Sequence, residues 1–244
     1  MNSTVFQLTF ADLTFNVSFL NRETVFYFRP RMTHTQAIAG NLSASREDME
    51  SFRSYFPPDT PEPYLEYRCL MFLFARELLR LGCFMFHAFA FRWQDRAWLL
   101  TAPPGTGKTT QFQNWISMFP GEIQAISGDM PILHVGADGR IRVHPSAWNG
   151  KEDLRGAQAA PLAGLVLLQQ GKENQIAKLG VQDALIPLLR QFIAIPETEG
   201  ECLSVSGILD QMLSTSPCWK MINTGDLEST RLLRETLKSD PSFR

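Results

Sequence analysis

The feature that most limits how this chain can fold is the stretch WLLTAPPGTGKTTQFQNW, residues 98–115. It passes from an apolar strand pattern through a proline- and glycine-rich loop into a helix pattern. Ala102–Thr109 matches the phosphate-loop pattern G-x-x-x-x-G-K-[ST], with Ala102 in place of the first glycine. Gly105 and Gly107 allow backbone N–H groups to turn toward an anion, and the helix N-terminus adds unsatisfied donors. The stretch therefore predicts a phosphate-binding loop, and a helix entry with a coincidental Lys-Thr pair is the alternative.

The residue types in this loop predict what each part of it binds. Lys108 is expected to reach the β- and γ-phosphates of a nucleotide, and the hydroxyl of Thr109 is placed to ligate Mg²⁺. ATP and Mg²⁺ are the predicted cofactors. The residues expected to contact the nucleotide are Pro104, Gly105, Thr106, Gly107, Lys108, Thr109 and Thr110.

A phosphate loop also needs an acidic partner that holds the metal or activates the acceptor. Asp129, in AISGDMPIL, is the next acidic residue at the end of an apolar strand. We expect this strand to lie beside the phosphate-loop strand, so that Asp129 serves as catalytic base and as second metal ligand beside Thr109. An aspartate that caps the turn before Pro131 is the alternative. Glu122 is a weaker candidate because it begins the same strand at the far end.

Composition narrows the choice of partners and compartment. The chain has 244 residues, 44% of them hydrophobic, which suffices for one sizeable core with a smaller unit in front. The net charge of −2 gives no general case for nucleic acid or an anionic membrane as partner. Four cysteines without a C-x-x-C pair argue against a zinc site or disulfide framework. We expect a cytoplasmic protein, and a homo-oligomer is compatible with the sequence.

Patterns along the chain predict an α/β protein with a β-rich beginning. Two or three short antiparallel strands are expected within residues 5–28, and residues 29–60 read mostly as loop. A largely buried helix then ends at Gly82, and an antiparallel hairpin that turns at residues 92–96 leads into the phosphate loop. We therefore divide the chain into an N-terminal segment, residues 1–60, and a phosphate-loop domain, residues 61–244.

The histidines differ in what they predict. In PILHVGADGRIRVHP, a two-residue turn at Asp138-Gly139 would pair Ala137 with Arg140. His134 and His144 would then face opposite sides of the ribbon, which argues against a metal pair. His87 begins the strand that precedes the phosphate-loop strand, where it is either a catalytic residue or a core histidine.

The stretch SAWNGKEDLRG, residues 146–156, has two interpretations. Trp148 could stack on a nucleotide base while Lys151 and Arg155, spaced i and i+4, reach phosphates. The alternative is a solvated loop that Trp148 anchors to the protein.

This organisation resembles the bacterial HPr serine kinases and their relatives, the phosphoenolpyruvate carboxykinases. About a hundred residues precede the phosphate loop, and His87 lies 21 residues before Lys108, as in HPr kinases. Those kinases end the next strand with an Asp-Asp pair, whose second member acts as base toward the acceptor serine; here Gly128-Asp129 stands in that place. The resemblance implies a P-loop kinase core with a mixed sheet, with Asp129, His87 and Lys108 as catalytic residues.

The sequence is more similar still to short HPr-kinase-like proteins found beside peptide-modification genes. SAWNGKEDL and PLAGLVLLQQGKEN carry this likeness, which covers about residues 84–175. It implies that a small protein or ribosomally made precursor peptide accepts the phosphoryl group. Ala102, Ala88 and the missing first aspartate depart from the family pattern.

Three functions are compatible with these residues. The first is an ATP- and Mg²⁺-dependent kinase that phosphorylates a serine hydroxyl of a protein or peptide, with a small-molecule kinase as a variant. The second is a P-loop ATPase or nucleotide-binding switch that assists a peptide-maturation complex, although one acid, Asp129, is fewer than an ATPase normally uses. The third is a binding module with a degenerate site, which the intact Gly-Lys-Thr disfavours.

Overall fold

The chain forms a mixed α/β fold. The computed structural model of the protein describes residues 5–28, 37–136, 138–150, 154, 156, 158–194 and 196–240. In chain order, its strands are β1 (Val5–Phe10), β2 (Leu13–Ser18), β3 (Gly40–Ser43), β4 (Cys83–Met85), β5 (Phe89–Trp93), β6 (Arg96–Thr101), β7 (Ile123–Ser127), β8 (Ile132–Val135), β9 (Ile141–His144), β10 (Ala160–Gln170), β11 (Gln175–Lys178) and β12 (Cys218–Asn223). Its α-helices are α1 (Arg46–Arg53), α2 (Glu62–Arg80), α3 (Lys108–Met118), α4 (Val181–Leu189), α5 (Glu199–Thr215) and α6 (Leu227–Ser239), and a 3₁₀ helix spans Arg22–Tyr27.

The unit around the phosphate loop has the order that the sequence predicts. β5 and β6 form an antiparallel hairpin in which Trp93 pairs with Arg96. Gln94 and Asp95 make its turn with positive φ angles of 47° and 61°, the backbone shape of a two-residue hairpin turn. β6 then runs into the loop, and α3 begins at Lys108. The predicted hairpin, loop and helix are therefore all present.

A large mixed sheet carries this unit. Its order is β4-β8-β9-β10-β6-β5-β7, and β12 pairs with both β10 and β11. β10 lies parallel to β6 and β12 but antiparallel to β9. Parallel strands need cover on both faces, which explains why β10 reads as an almost uninterrupted apolar run.

The strand before Asp129 does not lie where the sequence predicts. β7 pairs with β5, not with the phosphate-loop strand β6. The tight hairpin turn places β5 against one edge of β6, and β10 occupies the other edge, so β6 has no edge left for β7. Asp129 nevertheless reaches the loop, because its backbone carbonyl accepts a hydrogen bond from Ala88 N at 2.9 Å, next to His87.

The N-terminal segment forms a separate three-stranded sheet, β1-β2-β3. β1 and β2 are antiparallel as predicted, whereas β3 joins β2 in parallel. The third strand that the sequence allows within residues 5–28 is absent from this described segment, and the 3₁₀ helix Arg22–Tyr27 forms there instead. The buried carboxylate of Glu66 on α2 anchors it, accepting hydrogen bonds from Leu20 N at 2.6 Å and Thr24 Oγ1 at 2.6 Å.

The prediction that residues 29–60 are mostly loop is wrong for the part containing β3 and α1. Helix α1 begins with a capping box in which Ser45 Oγ accepts from Asp48 N and the Asp48 side chain accepts from Ser45 N. Met49 buries its side chain against the core. Serine and aspartate three residues apart are a helix-start signal, which the polar composition of the segment obscured. The domain division at residue 60 stays a prediction.

Trp148 lies at the centre of an aromatic cluster. Its ring packs against Phe10, Phe28, Tyr67 and Phe74 at centroid distances of 5.8, 5.5, 5.8 and 5.4 Å. The indole Nε1 donates to the carbonyl of Tyr67 at 3.1 Å, and the Tyr67 hydroxyl donates to the carbonyl of Ala147 at 2.9 Å. A buried Trp148 cannot stack on a nucleotide base, so that interpretation is wrong. Trp148 does anchor the segment, as the alternative predicts, but residues 146–149 are buried and not solvated.

The β8–β9 ribbon has a different register from the predicted one. His134 pairs with Arg142, and Ile132 pairs with His144. Gly136 N donates to Arg140 O at 2.8 Å, so three residues rather than two lie inside the turn. A one-residue shift moves side chains to the other face. The two histidines therefore share a face, with ring centroids 6.1 Å apart, and the prediction of opposite faces is wrong; Ala137 itself lies outside the described residues.

None of the helices in the described ranges combines the length and the apolar character that crossing a membrane requires.

The burial of His144 generates a prediction about pH. Burial lowers the pKa of His144 to about 4; Asp12 opposes this shift and His134 reinforces it. As the pH falls from about 6.5 to about 4, the unfolded chain binds a proton at this imidazole and the folded chain does not. The free energy of unfolding should therefore fall by up to about 3 kcal/mol on this account.

We expect His144→Gln to flatten that part of the pH profile, measured by urea denaturation between pH 4 and pH 8. The wild type and the variant are compared by the slope of their unfolding free energy against pH, because losing the imidazole also changes stability at every pH. Above about pH 7 the two slopes should coincide. Equal slopes between pH 4 and 6.5 would contradict the assignment.

Candidate active site

The phosphate loop has the backbone conformation that its glycines allow. Gly105 and Gly107 have φ angles of 78° and 104°, a region that residues with side chains rarely adopt. The Thr106 hydroxyl donates to Pro103 O at 2.8 Å and closes the turn. Gln170, at the end of β10, donates from Nε2 to Gly105 O at 3.1 Å. The loop is thus held both from within and by the neighbouring parallel strand.

A buried glutamine fixes the helix that follows the loop. Gln111 Nε2 donates to Ser229 Oγ at 2.6 Å, and Thr230 Oγ1 donates to Gln111 Oε1 at 2.8 Å. These bonds join α3 to α6. Gln111 was not predicted from the sequence, although a polar residue on the inner face of a predicted helix is a usable signal.

Lys108, His87 and Asp129 come together beside the loop. Lys108 Nζ donates to Ala102 O at 2.8 Å and lies 3.1 Å from His87 Nε2. The same His87 nitrogen lies 3.3 Å from Asp129 Oδ1. Burial lowers the pKa of Lys108, and the negative charge of Asp129 opposes that shift. The three predicted catalytic residues therefore form one contiguous cluster.

The position of His87 couples its two neighbours. A single imidazole nitrogen either accepts a hydrogen bond or donates one. If Nε2 carries a proton it donates toward Asp129, and if it does not it accepts from Lys108. The tautomer or charge of His87 therefore changes the hydrogen bonding available to both residues.

The segment 146–150 packs directly onto the end of β7. Met130 N donates to Trp148 O at 3.1 Å, and Ser127 Oγ donates to Asn149 Oδ1 at 3.0 Å. A Cβ atom added to Gly128 would lie 2.5 Å from Asn149 O, which is too close for any side chain. Gly128 is thus required by the packing of this segment.

The cluster opens into a cavity of about 700 Å³, within the range of small-ligand sites. All seven predicted nucleotide-contacting residues of the loop, Pro104 to Thr110, line it together with His87 and Asp129. Lys151 and Arg155, the remaining predicted contacts, lie outside the described residues, so their roles stay predictions. Gly150 and Leu154 bring the same segment to the cavity wall.

Two further cations line this cavity, Arg68 from α2 and Arg190 from the end of α4. The sequence analysis missed both. The basic residues predicted near the site were Lys151 and Arg155, and neither Arg68 nor Arg190 was among them. Arg68 could have been found from the sequence, because a charged residue within an apolar helix pattern is unusual. Arg190 could not, because it is 82 residues from Lys108 in the chain and no local pattern links the two.

The donor set fits Mg²⁺. This ion binds through one or two carboxylates together with substrate phosphates and waters. Thr109 and Asp129 both line the cavity, and the Oδ1 atom of Asp129 is the one that faces His87. No group of three or more His, Cys, Asp or Glu side chains in the described ranges is arranged to hold a metal, so phosphate oxygens would have to complete the coordination.

Comparisons with known proteins give little beyond this geometry. No family model matches the sequence, and no curated protein matches it. Among solved structures, the HPr(Ser) kinase/phosphatase from Coxiella burnetii is a neighbour with a TM-score of 0.34 and 12% identity. The alignment covers 63% of this chain and 92% of that one. Similarity this distant carries no functional argument, and the site must be judged on its own residues.

The phosphate loop predicts how nucleotide affinity depends on Lys108. Lys108→Ala should weaken ATP binding about 10- to 150-fold, because a charge-assisted contact contributes about 1.5–3 kcal/mol. Isothermal titration calorimetry with ATP and Mg²⁺ measures this. Lys172→Ala, at an exposed turn, is the matched control and should bind like the wild type. Unchanged affinity in a folded Lys108→Ala protein would exclude the phosphate-loop assignment.

The contact at Gly128 predicts a local packing requirement. Gly128→Ala forces the 146–150 segment away from β7 and should lower the free energy of unfolding by about 1–3 kcal/mol, as overpacking does. Gly200→Ala is the control, because an added Cβ there meets no atom within 4 Å. Chemical denaturation compares the two variants, and equal stabilities would show that the segment adapts freely.

Proposed function

We propose that the protein is an ATP-dependent kinase that transfers the γ-phosphoryl group to a hydroxyl, with a serine of a small protein or ribosomal precursor peptide as acceptor. The observation that carries the proposal is the Lys108–His87–Asp129 cluster at the mouth of the phosphate loop. Its lysine is suited to bind phosphate and its carboxylate to accept a proton, and both line one cavity of about 700 Å³.

Each residue has a role in such a transfer. The loop amides and Lys108 bind the β- and γ-phosphates and offset the charge of the transferred group. Thr109 and Asp129 would hold Mg²⁺, which supplies further charge neutralisation when bound. Asp129 receives the acceptor's proton as the new oxygen–phosphorus bond forms and the bond between the γ-phosphorus and the β–γ bridging oxygen breaks, leaving ADP. His87 orients Asp129 and adjusts the hydrogen bonding of Lys108.

An ATPase is less well supported by these residues. Water as acceptor needs a group that orients it, and ATPases normally place an acidic pair at this strand end. The close approach of Gly128 to Asn149 O leaves space for one acid, Asp129. Comparing phosphate release with ³²P transfer to a hydroxyl acceptor separates the two reactions.

A small-molecule kinase has one specific observation in its favour. Arg68 and Arg190 supply the second cationic set that a charged metabolite would need. For a peptide acceptor, the outer edge of β1 offers backbone groups, since β1 pairs on one side only among the described strands. Incubation with ATP, Mg²⁺ and the peptides encoded by neighbouring genes, or with free serine, followed by mass spectrometry, decides between them. Rapid phosphorylation of serine with no modified peptide would replace the peptide-kinase proposal.

Asp129 should affect transfer more than binding. Asp129→Asn keeps the side-chain shape but removes the base and a metal-ligand charge, so turnover should fall at least about a hundredfold while ATP still binds. His87→Ala should lower turnover by less, because His87 acts through its neighbours. Turnover is measured as ³²P transfer and ATP binding by calorimetry.

Asp59→Asn, at an exposed position remote in sequence from the site, serves as the control for this experiment. Near-wild-type turnover in Asp129→Asn would leave that residue with a structural role alone. Unfolding of His87→Ala without a separable loss of activity would identify His87 as a core histidine.

A further inference from the structure

Arg68 holds a buried guanidinium atom that has no partner among the described residues. It belongs to helix α2, and its Nε atom is shielded from solvent and makes no hydrogen bond within the described part of the chain. The side chain lines the cavity beside the phosphate loop. An unsatisfied buried donor is costly and rare in a folded protein. Within the described residues, Arg68 is therefore incompletely paired at the edge of the cavity.

Arg190 lines the same cavity from a different element. It caps the C-terminus of α4, and the next residue, Gln191, accepts a hydrogen bond through its backbone oxygen from His87 N at 2.8 Å. Ile193 N donates to Met85 O at 3.2 Å. The backbone at Arg190 is therefore held beside the connection between β4 and β5, which carries His87.

Arg68 is fixed relative to the other side of the site. Its neighbour Tyr67 receives the hydrogen bond of Trp148 Nε1 and donates to Ala147 O. The same segment packs against Gly128 and Asp129, which directly follow β7. The two arginines thus come from helices that are not adjacent in the chain. Arg190 lies beside the segment that carries His87, and Arg68 lies beside the segment that packs on Asp129. Neither of these contacts involves the phosphate loop.

The charge of the cavity indicates a second anion besides the nucleotide. Its described lining contains Lys108, Arg68 and Arg190 against the single carboxylate of Asp129. Lys108 and the loop amides already serve the nucleotide phosphates. The planar guanidinium group is suited to carboxylates, which it binds through paired hydrogen bonds.

We propose that Arg68 and Arg190 form a subsite for a carboxylate that stands beside the acceptor hydroxyl. This inference rests on the proposed kinase function and adds the substrate class: a peptide whose serine neighbours an acidic side chain or a free C-terminus. The competing role for these arginines is contact with the nucleotide phosphates in the transition state. The two roles differ in which substrate's KM depends on the arginines.

The test uses four synthetic peptides with one serine each. One is uncharged with both ends blocked, one has a glutamate before the serine, one has a glutamate after it, and one ends at the serine with a free carboxylate. Phosphorylation is followed with labelled ATP and Mg²⁺. Binding of the same peptides, each carrying a fluorophore, is followed by anisotropy with a non-hydrolysable ATP analogue.

We expect at least one carboxylate-bearing peptide to exceed the uncharged one about tenfold or more in kcat/KM, through a lower peptide KM. Arg68→Gln and Arg190→Gln should each reduce that preference while changing the ATP KM less than about twofold. Arg68→Lys should restore part of it, since an ammonium keeps the charge but not the paired geometry. Arg231→Gln, which alters an exposed ion pair with Glu228 on α6, is the control and should keep the full preference.

The outcomes separate this inference from the kinase proposal. Suppose that no peptide is phosphorylated but carboxylate-bearing peptides bind more tightly than the uncharged one, and Arg68→Gln abolishes this difference. That result would count against the kinase function and support the carboxylate subsite. Equal phosphorylation of all four peptides would support the kinase function and overturn the subsite. Binding of none, or equal binding without transfer, would overturn the subsite as well. The subsite would also be overturned if the arginine variants raised the ATP KM and lowered the phosphorylation of all four peptides equally.

Discussion

Burial of the Trp148 indole is the interaction on which the arrangement of the site depends. The ring joins the N-terminal sheet, through Phe10, to helix α2, through Phe74, and hydrogen-bonds to the backbone of Tyr67. Its backbone carbonyl accepts from Met130, one residue after Asp129. A single apolar anchor therefore links the core of the N-terminal segment to the end of the strand that carries the acid. Arg68 follows Tyr67 on α2, so the same anchor also sets where one of the cavity's cations lies.

Charge interactions determine the properties of the cavity, because the ammonium of Lys108 and the carboxylate of Asp129 lie close together where water is partly excluded. Burial disfavours the charged form of Lys108, while the carboxylate of Asp129 favours it. His87 lies within 3.3 Å of both groups and can hydrogen-bond to either. A phosphate that approaches Lys108 would compete with Ala102 O and His87 for its protons, so ligand binding at the loop changes the surroundings of the proposed base.

Local patterns predicted most of the elements that form the site. The β5–β6 hairpin, the loop and the start of α3 follow from turn residues and apolar periodicity within about 30 residues of chain, where few alternative structures compete. Predictions that depended on pairing between strands fared worse. β7 lies against β5 because both edges of β6 are occupied, and one extra residue in the β8–β9 turn placed His134 and His144 on the same face.

The sequence by itself predicted the glycine-rich loop that ends in Lys108 and the residue types of the Lys108–His87–Asp129 cluster. The proposed roles of Gly105, Gly107 and Lys108 depend on backbone conformation and short-range geometry, and residues nearby in the chain determine both. Only the tertiary structure decided that Trp148 is buried and that Arg68 and Arg190 line the same cavity. Those positions depend on how α2 and α4 pack onto the sheet. Contacts between residues far apart in the chain leave no periodic trace in sequence, so the shared cavity position of the two arginines became visible only in the folded chain.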